Sequence, residues 1–253
     1  MKTVVDIGLL YQRRMVQTLR NPVWLVVGFS TPILYLALFT PLLEHFLHVD
    51  STGVVLNIFL PGILALLAFA SGTSMGFGTI FELQSGVIER FRVTPASRLA
   101  ILSGPILSSL TMMFVFDAVV VAIGAGLGFH VDWGGIVVMA VLLSLLTISM
   151  GAFSIAIALK TKEITAFAAV VNGLQLPSLL LGGVLLQINS QSAPTWLQVL
   201  AHLNPLYYLV QSCRELAVGG FGRPEVWQAF AVLTTLCALT LTWATRVFRR
   251  AVS

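Results

Sequence analysis

Charge is scarce in this chain. Only 9% of its 253 residues are Asp, Glu, Lys or Arg, while 57% are hydrophobic. A soluble domain carries about 25% charged residues, so this polypeptide cannot cover its own surface in water. A mean hydropathy of +0.95 agrees, and the chain reads as an integral membrane protein. Cysteine is nearly missing: Cys213 and Cys237 read at different depths, one outside a span and one within it, which argues against a disulfide. Neither has a ligand-like neighbour. His45, His48, His130 and His202 fall singly or in pairs around the loops with no third ligand, so no metal centre is expected. No Gly-Lys pair occurs, which excludes a nucleotide-binding P-loop of the Gly-x-x-x-x-Gly-Lys-Ser/Thr type. Paired carboxylates and a nucleophile–base arrangement are also lacking, so no catalytic residue is assigned. Nothing points to nucleic acid as a partner.

What is present is a set of long apolar runs. A helical crossing needs about 20 mostly apolar residues. Charge-free windows place spans at about 22–43, 57–80, 99–126, 134–159, 164–187 and 226–245. The predicted fold is all-α, six transmembrane helices in one transmembrane domain covering 1–253. Twelve of the 14 Lys and Arg residues fall in segments on one side of this arrangement; only Arg214 and Arg223 fall on the other. The positive-inside bias therefore puts both termini in the cytoplasm. The first 20 residues carry charges along their length and have no continuous apolar core, so they do not read as a cleaved signal peptide. The expected home is the cytoplasmic membrane of a bacterial cell.

Several segments stand out from the apolar background. The N-terminal arm, 3–20, is amphipathic at helical period: Val5, Leu9, Val16 and Leu19 share one face, and Asp6, Arg13, Gln17 and Arg20 another, with Leu10 and Gln12 as exceptions. Such a helix lies in the headgroup layer, with Arg13, Arg14 and Arg20 directed toward lipid phosphates or a partner. Between spans two and three, 82–98 holds five charges and must face water. Leu83, Val87 and Phe91 repeat at i, i+4, i+8 and predict a short helix with an apolar stripe, stopped at Thr94-Pro95. That stripe suits a groove on another protein or the headgroup layer; spacing alone does not choose. Asp117 interrupts an apolar crossing and is expected to face the bundle or a wet cavity. It reads as a substrate or proton contact, or as a structural hydrogen bond. Asn172 and Gln175 share a face of span five just before Pro177, where they line a path or join helices. Leu181-Gly182-Gly183-Val184 permits close backbone approach or unwinding. Trp196, Tyr207 and Tyr208 suit an interfacial aromatic belt.

The run Gly86-Val-Ile-Glu89-Arg90-Phe-Arg92-Val-Thr94-Pro95-Ala-Ser-Arg98-Leu-Ala resembles the cytoplasmic segment of type-2 ATP-binding-cassette exporter permeases, especially the daunorubicin-resistance-like branch. Asn189 to Pro194, then Trp196-Leu197, Leu203-Asn204-Pro205-Leu206-Tyr207-Tyr208 and Arg214, are similar to that family's pair of short helices folded into the membrane from outside. The six spans and the amphipathic arm fit too. The resemblance implies that 82–98 is a coupling helix docking on a separate ATPase subunit, with Gly86, Val87, Glu89, Arg90, Phe91, Arg92, Thr94 and Pro95 as its working residues. It implies that the arm is a connecting helix, and that Trp196, Asn204, Pro205, Tyr207 and Tyr208 belong to an outer gate. It further implies two permease subunits, identical or homologous, embedded in the lipid bilayer. ATP and Mg would be bound by the partner ATPase, and no cofactor by this chain. The expected cargo is a lipophilic or amphipathic small molecule, with Asp117, Asn172 and Gln175 along its path. Two rivals remain open at this point: export of a lipid-linked glycan by the same architecture, and a proton-coupled secondary transporter using Asp117.

Overall fold

The computed structural model describes residues 2–47, 51–87, 98–129, 133–184 and 194–252. Among the described residues there are nine long or short helices and no strand: α1 (Lys2–Leu19), α2 (Pro22–Leu47), α3 (Thr52–Gln84), α4 (Arg98–Gly126), α5 (Trp133–Thr161), α6 (Ile164–Leu181), α7 (Thr195–His202), α8 (Pro205–Ala217) and α9 (Pro224–Val252). Six of them, α2 to α6 and α9, are long and apolar enough to cross a membrane. The fold is the expected all-helical bundle, with α1 before it and the short α7 and α8 between spans five and six.

The central column is α3, with 72% of its membrane stretch buried, against 17% for α2 and 11% for α6. Its 33 residues rise about 1.5 Å each and reach about 50 Å, well beyond a hydrocarbon core of about 30 Å. The helix therefore extends past the expected 57–80 at both ends. Small residues bring α3 and α5 together. A methyl on Gly72 would lie 2.6 Å from Met150 Cβ, and one on Gly151 would overlap Met75. Where backbones come this close, hydroxyls cross the seam. Thr147 Oγ1 donates to the Ala68 carbonyl at 3.1 Å, Ser154 Oγ donates to the Thr73 carbonyl at 2.6 Å, and Gly76 N–H donates to Ser154 Oγ at 2.9 Å. In lipid, packing and such bonds replace the hydrophobic drive between helices.

α1 runs against α4. Leu10, an exception to the amphipathic pattern, fits over Gly104, where a Cβ would lie 2.8 Å from its own; Tyr11 Oη lies 3.2 Å from Thr111 Oγ1. The predicted apolar face, Val5, Leu9, Val16 and Leu19, stays exposed, as a helix resting on lipid requires.

Two expectations need correction. The segment 82–98 is not one helix: α3 continues through Glu82 and Leu83 to Gln84, then breaks at Ser85–Gly86, where Gly86 has φ 70°. That left-handed backbone, which glycine tolerates without a Cβ clash, interrupts the stripe between Leu83 and Val87. Arg98 opens α4, within one residue of the expected start of span three at about 99. Span five stops at Leu181, short of 187, because Gly183 turns left-handed at φ 65°.

Candidate functional site

At the end of the bundle that carries α1, Arg14 Nη1 pairs with Glu82 Oε1 at 3.0 Å, both side chains about one-fifth exposed. The guanidinium lies flat on α3 over Gly78, where a methyl group would overlap it. The arm is thus fastened to the last turn of α3, four residues before the Gly86 break. Arg13 and Arg20 are exposed. Gly86 and Val87 lie at the exit of α3; Glu89, Arg90, Phe91, Arg92, Thr94 and Pro95 lie outside the described residues.

Above that pair opens a cavity of about 600 Å³ between α1, α2, α3 and α4. Arg14, Gln17 and Asn21 line one end of it, and Leu67, Thr31 and Phe116 reach the other. Phe116 meets Phe29 edge-on at 4.7 Å between centroids and closes the deep end. None of the expected path residues lines this space. Asp117 is 7% exposed, and neither carboxylate oxygen has a hydrogen-bond partner among the described residues. Asn172 is exposed on α6 and Gln175 half-buried, both remote in sequence and helix from the cavity wall.

The opposite end is organised by α8. Arg214 is 5% exposed, although charge counting assigns it to an outer loop. Its Nε donates to the Ile58 carbonyl at 2.8 Å, and its Nη2 donates to the Gly183 carbonyl at 2.7 Å and the Val184 carbonyl at 3.4 Å; Nη1 is buried without a partner. One side chain thereby joins α8, the start of α3 and the turn that ends α6. A methyl on Gly62 would overlap the Val184 carbonyl oxygen, so the glycine admits that turn against α3. Asn204 caps α8: its Oδ1 accepts from Leu206 N–H at 3.1 Å, while Nδ2 donates to the Ser178 carbonyl at 2.6 Å. Pro205 occupies the first helical turn, where its missing N–H costs nothing. Tyr207 and Tyr208 stack edge-on at 5.7 Å, with His202 5.0 Å from Tyr207. Trp196 stands apart, 63% exposed on α7. The structure therefore brings Asn204, Pro205, Tyr207 and Tyr208 into one cluster with His202, and leaves Trp196 outside it.

The described residues thus form a membrane bundle with an arm fastened to span two and a polar-capped helix pair between spans five and six. The family model described as ABC-2 type transporter matches residues 5–217. The chain belongs to the ABC-2 type transporter family. This permease is 30% identical over 217 residues to the putative transport permease ycf38 of Cyanophora paradoxa, covering 84% of this chain and 74% of that one. It is 26% identical over 237 residues to the daunorubicin resistance ABC transporter permease protein DrrB1 of Streptomyces coeruleorubidus, covering 90% and 80%. The ycf38 permease of Porphyra purpurea is 27% identical over 221 residues, covering 84% and 74%.

Two parts of the permease escaped sequence reasoning. The Gly72-x-x-x-Gly76 spacing on α3 is a legible signal for close helix packing. The Arg214 clamp had a weaker one: an arginine on an otherwise apolar helix face with Gly182-Gly183 elsewhere in the chain.

Proposed function

We propose that this permease is the membrane subunit of an ATP-driven exporter that carries a lipophilic or amphipathic small molecule out of the cell. ATP is hydrolysed on separate ABC ATPase subunits. Their nucleotide-driven closure reaches the membrane through 82–98, and both termini face the cytoplasm. The Arg14–Glu82 contact carries this reading best: it joins the arm to the exit of α3, so a push on the segment after Gly86 moves both together. The placement of twelve of 14 basic residues supports the orientation. A relative named for daunorubicin resistance supports a drug-like cargo and the drug-export branch.

The permease works with a second permease subunit. α6 is the least buried span, and Asn172 lies on its uncovered face. An amide facing hydrocarbon is costly, and a second copy or homologue there gives it a partner. The test is ATP-dependent uptake of a lipophilic fluorophore into inverted vesicles containing the permease and a co-expressed candidate ABC ATPase from the same organism. Uptake that needs both chains supports the proposal. Uptake by the permease alone, driven by a proton gradient and abolished in Asp117→Asn, favours secondary transport instead.

A further inference from the structure

The cavity between α1, α2, α3 and α4 has a chemistry of its own. Along α3 it extends from Phe81 to Leu67, about 21 Å at about 1.5 Å per residue. That is the depth of one leaflet with its headgroup layer, half of a bilayer about 40–45 Å thick. Its volume of about 600 Å³ lies within the range of about 300–1,000 Å³ of drug-sized ligand sites. Arg14 is the one charged residue in its lining, and Glu82 neutralises it at 3.0 Å. The site therefore does not select a strongly charged guest.

Six hydroxyls line the space; those of Ser71, Ser108 and Ser109, like the Gln17 amide, can donate as well as accept, and the other three cannot. These three belong to Thr18, Thr31 and Ser74. Each has already committed its hydroxyl hydrogen to its own helix: Thr18 Oγ1 to the Arg14 carbonyl at 3.1 Å, Thr31 Oγ1 to the Val27 carbonyl at 3.0 Å, and Ser74 Oγ to the Ser71 carbonyl at 2.8 Å. A hydroxyl has one hydrogen and two lone pairs, so these three oxygens offer the cavity acceptors only. They are spread from the mouth to the deep end, among Leu25, Met112 and Phe116.

We infer that this cavity is a binding site for an uncharged or weakly basic amphiphile that carries hydroxyl or amine donors on an apolar body and enters from one leaflet. The inference rests on the export reading for its place in transport, but the binding itself does not. It locates cargo within one protomer, in a space lined by α1, so that motion of the arm and of Glu82 alters the mouth.

The probe pair is a dansyl-labelled long-chain diol and its dimethyl ether, which share an apolar body and differ in donors. Both are titrated into full-length permease in nanodiscs without ATP. The diol is expected to bind about tenfold tighter than the ether, as two net hydrogen bonds imply. Ser74→Ala combined with Thr31→Val should remove most of that difference while leaving ether binding unchanged. Ala70→Leu, which fills the lining, should weaken both probes about tenfold or more; thermal unfolding checks that each variant is folded. Equal binding of the two probes, or full binding by folded Ala70→Leu, overturns the site. Probe binding as expected without ATP-driven uptake leaves the site and sinks the export reading. ATP-driven transport that persists in Ala70→Leu after binding is lost leaves export and removes the cavity from its route.

Discussion

Replacing Arg214 tests the structural centre of the α8 end. The guanidinium makes two short bonds to carbonyls, from α3 and from the turn after α6, at 2.8 and 2.7 Å. Each charge-assisted bond contributes about 1.5–3 kcal/mol, so losing both costs about 3–6 kcal/mol before the desolvation of the charge is returned. Burying a guanidinium itself costs several kcal/mol, and Nη1 has no partner. The net expected for Arg214→Gln is a loss of about 2–4 kcal/mol of stability. Arg214→Lys should lose less but still lose, because an ammonium lacks the planar fork that reaches two helix ends at once. The assay is unfolding of purified permease in mixed micelles by SDS titration, followed by the fluorescence of its five tryptophans. Midpoints should fall in the order wild type, Lys, Gln. A Gln variant as stable as wild type refutes the clamp; a Lys variant equal to wild type shows that charge alone matters and the fork does not.

Three further outcomes follow from particular contacts. Arg14→Glu should uncouple ATP hydrolysis from transport with little loss of stability, since a part-exposed pair contributes about 1 kcal/mol or less; Arg14→Glu with Glu82→Arg should restore coupling, measured as transport per ATP, and failure of that rescue counts against the contact. Asp117→Leu should raise stability in the SDS titration by about 1–3 kcal/mol, because an unpartnered buried carboxylate gives way to an apolar side chain; a destabilised Leu variant would show that the carboxylate has a partner in the membrane. Gly62→Ala should destabilise by about 1–3 kcal/mol, since its methyl meets a backbone carbonyl that cannot rotate away; a neutral result in the same titration would mean that the turn after α6 lies farther from α3.

Large features of this permease are legible because they follow from solvent. Six apolar runs need a bilayer, and six described helices are long and apolar enough to cross one. The arm was legible as amphipathic, and even its exception has a cause: Leu10 faces α4 because Gly104 leaves room for it. Local reading fails where a single backbone angle decides. Leu83, Val87 and Phe91 are spaced as one helix face, but Gly86 at φ 70° separates the first from the others, and helical periodicity carries no information about that turn. Arg214 is the opposite case. Charge counting treats arginine as water-seeking, whereas the carbonyls freed by the Gly183 turn hold it in the interior. Asp117, Asn172 and Gln175 share polarity in apolar spans, yet belong to different surroundings. Only the packing of α3 and α4 around the large cavity reveals a space that none of the three lines.

The central claim is that this permease receives its work from a separate ATPase through the segment that follows α3. The direct measurement is ATP-dependent fluorophore uptake in inverted vesicles containing both proteins, comparing wild type with Glu89→Ala and Phe91→Ala. The account predicts that both variants insert and bind the probe as wild type does, but lose most of their ATP-dependent uptake. Full uptake in both variants, or uptake by the permease without any ATPase, contradicts it.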